Sequence, residues 1–151
     1  MELLIAVAVL ALALRRDPLR AQVAAAWADV GGPASPLGLT WSRGRVPLQV
    51  SPRLVYVSTS ALGPLLPTDP TARAAALRWA LAHELGHDPA RGDTRQEELD
   101  ADLYAGRVLR ARGVPWADVL LGVEPMLTDS YTHGTARERM AAIQAGYRET
   151  P

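Results

Sequence analysis

Residues 83 to 87 read His-Glu-Leu-Gly-His, and they close a stretch, Thr71 to Leu85, made almost wholly of helix-forming residues. Ala74, Leu77, Leu81 and Leu85 recur within it at intervals of three and four, the stripe of a helix that turns one face to a core. Histidines four apart on a helix lie on one face, so His83 and His87 can direct two imidazole nitrogens at one metal ion, with Glu84 beside the ion's open position. A surface helix that carries these side chains by accident is the bland alternative. The chain has no Cys, which excludes a disulfide framework and a thiolate site. A metal must be held here by histidine and carboxylate, and zinc is the expected ion.

Two histidines leave such an ion one protein ligand short. The candidates are Asp88, Asp93, Glu97, Glu98, Asp100, Asp102 and His133. Glu98 and Asp102 are i and i+4 on a further helical pattern, from about Gln96 to Arg112. One carboxylate can therefore ligate the ion while the other accepts the free ring N–H of a ligating histidine. Glu98 is the preferred ligand, with Glu97 and His133 as rivals, and Asp102 is the preferred partner of the histidine. Glu97 and Asp100 also suit the positive end of a helix with no further role.

The rest of the chain reads as one domain. At 151 residues it is long enough for a core and too short for two ordinary domains. Net charge is zero, and the basic residues, all Arg, are scattered, so nothing points to a nucleic-acid partner. Leu3 to Leu14 is an apolar run of 12 residues followed by Arg15-Arg16. As a helix it spans about 18 Å against a hydrocarbon core of about 30 Å, and its charge follows the run instead of preceding it as in a secretory signal. Two readings stand: a membrane anchor or surface helix, or a helix buried in the domain or a partner. Arginines after the run would keep the remainder cytoplasmic, at the inner face of the membrane if the run inserts. The expected division is residues 1–16 for this segment and 17–151 for the domain.

Asp17-Pro18 opens a helix over 18–30 that carries Val23, Trp27 and Val30. Gly31 to Pro36 is a loop by composition. Short β-branched and aromatic pieces at 39–41, 46–50 and 54–59 predict a small antiparallel sheet, with Pro47 confining its strand to an edge. Pro89 bars further helix, Arg91-Gly92-Asp93 makes a turn, and helices follow at 115–122 and 135–147. The expected class is α+β, mostly helical with a small sheet.

His-Glu-Leu-Gly-His followed by Glu98-x-x-Ala-Asp102-x-x-Ala-x-x-Leu resembles the gluzincin metallopeptidases, most closely the HtpX and CAAX prenyl endopeptidase group. The likeness extends over much of residues 46–147. Val55 to Leu62 resembles the strand and helix entry upstream of that family's zinc helix, Arg110 to Met126 its helical link. Thr132-His133-Gly134-Thr135 through Arg139-Met140 resembles its late His-Pro motif, with Gly134 in place of the proline. The interval of 10 residues between His87 and Glu98 is closer to the small ImmA and IrrE metallopeptidases.

The resemblance implies a zincin-like fold and zinc held by His83, His87 and Glu98. It implies peptide-bond hydrolysis with Glu84 as general base, and His133 or Arg139, with Tyr131 behind them, is then the candidate donor to the oxyanion. The implied partner is a peptide or an unfolded protein segment, bound along an edge strand by strand addition. A site-specific regulatory protease and a non-catalytic zinc-binding interaction module are the alternatives.

Overall fold

A computed structural model describes residues 17–35, 37–88 and 94–149. The apolar run at 3–14, the end of the Gly31 to Pro36 loop and the Arg91-Gly92-Asp93 turn lie outside the described residues. Among those described, no helix is long and apolar enough to cross a membrane.

Helix α1, Pro18–Asp29, starts where capping chemistry places it. The Asp17 carboxylate accepts the backbone N–H groups of Leu19 and Arg20, and Pro18 fills the first turn. The other Asp17 oxygen accepts the Thr59 hydroxyl at 2.8 Å, so the cap also ties α1 to the chain that follows the sheet. Val23, Trp27 and Val30 are buried as the spacing predicts.

The sheet departs from expectation. Strands β1 (Gly38–Trp41), β2 (Leu48–Val50) and β3 (Leu54–Val57) lie in the order β1-β3-β2, with β2 antiparallel and β1 parallel to β3. The sheet is mixed, not antiparallel. The connection from β1 to β2 steps over one strand position, and the hairpin at Ser51 folds β3 back into that gap. A strand antiparallel to β2 is then necessarily parallel to β1. Val55 and Val57, fully buried, become the centre of the sheet. β2 is an edge strand, as Pro47 requires, and Pro47 contributes only its carbonyl, to the Ser58 N–H.

After the short helix α2 (Thr59–Leu62), helix α3, Pro70–Gly86, is capped by Asp69 through the N–H groups of Thr71 and Ala72. The leucine stripe understates how deeply α3 sits. Ala72, Ala75, Ala76, Trp79, Ala80 and Ala82 are buried as well as Leu77 and Leu81, because α1, the sheet and two later helices all pack on it. Alanine on those faces lets its neighbours approach closely.

Helices α4 (Arg95–Ala111), α5 (Trp116–Val123) and α6 (Ala136–Arg148) complete the fold. The boundaries expected for these helices hold to within one residue at each end. α4 and α6 meet backbone to backbone at two glycines. A Cβ on Gly106 would lie 2.1 Å from the Ile143 carbonyl oxygen, and one on Gly146 would lie 1.9 Å from that of Leu103. That close approach lets Arg139 of α6 reach Asp102 of α4.

Candidate metal centre

His83 lies in the last turn of α3 and is buried, but the helix stops at Gly86. His87 is extended, with φ −67° and ψ 133°, so the two histidines do not share one helical face as the spacing suggests. Glycine is a poor helix former and a proline at 89 disfavours helical backbone in the residue before it, so the helix ends inside the motif. Gly86 packs tightly on α4, where a Cβ would sit 3.1 Å from the Ala101 backbone. The end of α3 is thereby pressed against the helix that carries the carboxylates.

The ligand atoms converge all the same. His83 Nε2 lies 3.1 Å from His87 Nε2 and 3.2 Å from Glu98 Oε2, and His87 Nε2 lies 3.9 Å from Glu98 Oε1. An ion with four tetrahedral ligands at 2.0–2.1 Å holds them roughly 3.3 Å apart, so this spacing fits a shared ion. His83, His87 and Glu98 form a group that could hold a metal ion.

Behind the ligands stands a buried polar network. Asp102, with no solvent exposure, faces His83 Nδ1 at 2.9 Å through Oδ1. A carboxylate can only accept there, so Nδ1 carries the hydrogen and Nε2 is left for the site. Asp102 is gripped from two further sides, by the Trp79 indole N–H at 3.1 Å and by Arg139 through Nε at 2.7 Å and Nη2 at 3.1 Å. The Arg139 guanidinium also stacks over the Trp79 ring, 5.4 Å from its centroid. Arg139 is thus held against Asp102, with both of these donors engaged.

Trp79 carries no signal of this role in the sequence. Glu97 was open to two readings there, a ligand or a residue that suits the helix dipole. It lies in the first turn of α4, where it suits the helix dipole, and it is 2% exposed; its Oε1 lies 3.7 Å from His87 Nδ1 and accepts the Asp88 backbone N–H.

The charge on these groups follows from this geometry. Burial alone would lower the His83 pKa. The hydrogen bonds to Asp102 and Glu98 and the nearby negative charge reverse that, and the pKa rises to about 9. Burial would raise Glu98 and Asp102, but their bonds to His83, helped for Asp102 by Arg139, bring both below the ordinary carboxylate range. Glu84, half-buried, is raised chiefly by loss of solvent and further by the Glu98 charge, against the pull of His83 and Arg139.

His83 is raised from 6.5 to about 9, so its contribution to stability is complete below pH 6.5 and is lost as pH rises through 9. Metal-free protein should therefore show a falling melting temperature between pH 6.5 and 9, while metal binding near neutral pH should release a proton and tighten as pH rises. A melting temperature in chelator that stays flat or climbs across that window would contradict this. With neither Cys nor Lys in the chain, few other groups titrate there.

His133 is on a turn closed by paired backbone hydrogen bonds between Ser130 and Gly134. Its Nδ1 lies 3.2 Å from the Ser130 hydroxyl and 2.9 Å from that of Thr132, and its Nε2 lies 3.6 Å from Glu98 Oε1. The ring is about half exposed, so it stands at the mouth of the site. Gly134 has φ +86°, a conformation that glycine adopts freely and proline cannot. Tyr131, beside it, is 99% exposed.

No family model matches the chain, and no curated protein and no solved structure matches it either.

Proposed function

We propose that the chain is a zinc-dependent endopeptidase of the gluzincin type that cleaves peptides or unfolded protein segments. The observation that carries this reading is the convergence of two imidazole Nε2 atoms and the Glu98 carboxylate at ligand spacing, with Glu84 next to His83 on the same helix. A donor set of two nitrogens and one carboxylate oxygen, with no thiolate, suits a catalytic zinc, which keeps a position open. Bound there, the ion would supply a Lewis acid and lower the pKa of a coordinated water towards about 7.

The chain's own groups divide the remaining work. Glu84, its pKa raised by burial, accepts a proton from the attacking water and returns it to the leaving amine. Asp102 holds His83 in one tautomer, and Trp79 and Arg139 hold Asp102. His133, whose ring stands at the mouth, donates to the developing oxyanion, whereas Arg139, bound to Asp102, acts as a positioning residue. Among the described residues β2 pairs only with β3, and it packs on α3. Its other edge offers backbone groups to an extended substrate.

The test is digestion of a peptide library and of a denatured protein, with products read by mass spectrometry. Cleavage at several sites that a chelator abolishes and zinc restores is the expected result. Cleavage of a single sequence would favour the regulatory protease, and no cleavage by fully metal-loaded protein would leave a binding module.

A further inference from the structure

We propose that Glu97 is the positioning residue that makes His87 a metal ligand, an inference that rests on the metal-centre reading. Because α3 ends at Gly86, helical geometry does not deliver His87 to the site, and something outside α3 must hold it. Glu97 is placed to do so. Its Oε1 accepts the backbone N–H of Asp88, the residue directly after His87, and lies 3.7 Å from His87 Nδ1. The second distance is within ion-pair range and beyond a hydrogen bond, so the firm grip is on the backbone, while the negative charge favours the tautomer that keeps hydrogen on Nδ1.

Burial supports the assignment. An acidic residue that only complements a helix dipole works from solvent, and burying a carboxylate carries a desolvation cost that a dipole role does not require. Glu97 is 2% exposed nevertheless. Its own backbone is fixed as well, since its N–H donates to the capping Thr94 hydroxyl at 3.2 Å. Glu98 is the next residue, so one turn of α4 supplies both a ligand and the clamp on another ligand. Asp102 does for His83 Nδ1, by direct contact, what Glu97 does for His87 through the adjoining backbone.

The experiment measures zinc affinity by competition with a chromophoric chelator for wild type, Glu97→Ala and Glu97→Gln, each with His87 present and in a His87→Ala background. With His87 present, Glu97→Ala should weaken binding by about 10- to 100-fold. Glu97→Gln, whose amide oxygen can still accept the Asp88 N–H, should lose less. In the His87→Ala background the Glu97 substitutions should change affinity by less than about 3-fold, because the ligand they position is gone. Circular dichroism of the metal-free proteins controls for folding, and the Gln variant carries the test if the Ala variant does not fold. Unchanged affinity in both Glu97 variants, or an effect of full size that persists without His87, overturns the proposal and leaves the metal centre standing. Wild-type protein that binds no zinc overturns the metal centre itself.

Discussion

Glu84→Gln should lower kcat by about 100- to 10,000-fold on any peptide the protein cleaves, with zinc content and KM nearly unchanged. The substitution keeps the size and reach of the side chain and removes only its capacity to take a proton. Glu84 is not among the three converging ligands, so the metal should stay. Stability should not fall either. The folded state already disfavours the ionised form of Glu84, first through loss of solvent, so a neutral amide relieves a cost. A Gln variant with wild-type turnover would exclude Glu84 as the base. One that lost its zinc would show that Glu84 supports the ion.

Arg139→Ala should be among the most destabilising single substitutions in the chain. Asp102 is fully buried, and Arg139 supplies two of its hydrogen bonds and its most direct positive charge in the metal-loaded state, when His83 is neutral. Removing one partner of a buried pair typically costs about 3–5 kcal/mol, because the other charge stays behind without compensation. At this chain length that corresponds to a fall in melting temperature of roughly 6–20 °C. Arg139→Met combined with Asp102→Asn should recover much of the loss in the metal-free protein, since no lone charge remains. Urea denaturation of the single and double variants measures both effects. A loss below about 1 kcal/mol for Arg139→Ala would mean that the pair behaves as a surface salt bridge.

The parts of the centre that were legible in the sequence are those encoded locally. His83, Glu84 and His87 are contiguous, and Glu98 and Asp102 sit one turn apart on a helix whose period is plain in the residues. The helices were legible for the same reason, through Asp17-Pro18, the apolar stripe of α3 and the glycines and prolines between elements. What escaped depends on how elements meet. The parallel pairing of β1 with β3 follows from a strand folding back into a gap, which no local pattern encodes. The Trp79 and Arg139 bonds to Asp102 join residues 23 and 37 positions apart across three helices. Arg139 lies in the late motif, and its two hydrogen bonds to Asp102 tie α6 to α4 in a way that no local pattern encodes.

His87 shows where a motif misleads. The spacing of four implies a helical face, but the helix ends between the two histidines, and the geometry is recovered by packing of Gly86 on α4 and by Glu97. The candidate residue was legible there, while the contacts that place it were not.

The most direct test of the central claim is metal stoichiometry by elemental analysis, on protein purified without chelator and again after zinc titration and dialysis. The account predicts about one zinc per chain in wild type and in Glu84→Gln. His83→Ala, His87→Ala and Glu98→Ala should each lose it under the same dialysis. Wild-type protein that holds no stoichiometric zinc and regains none on titration, or a Glu98→Ala variant that binds as tightly as wild type, would contradict it.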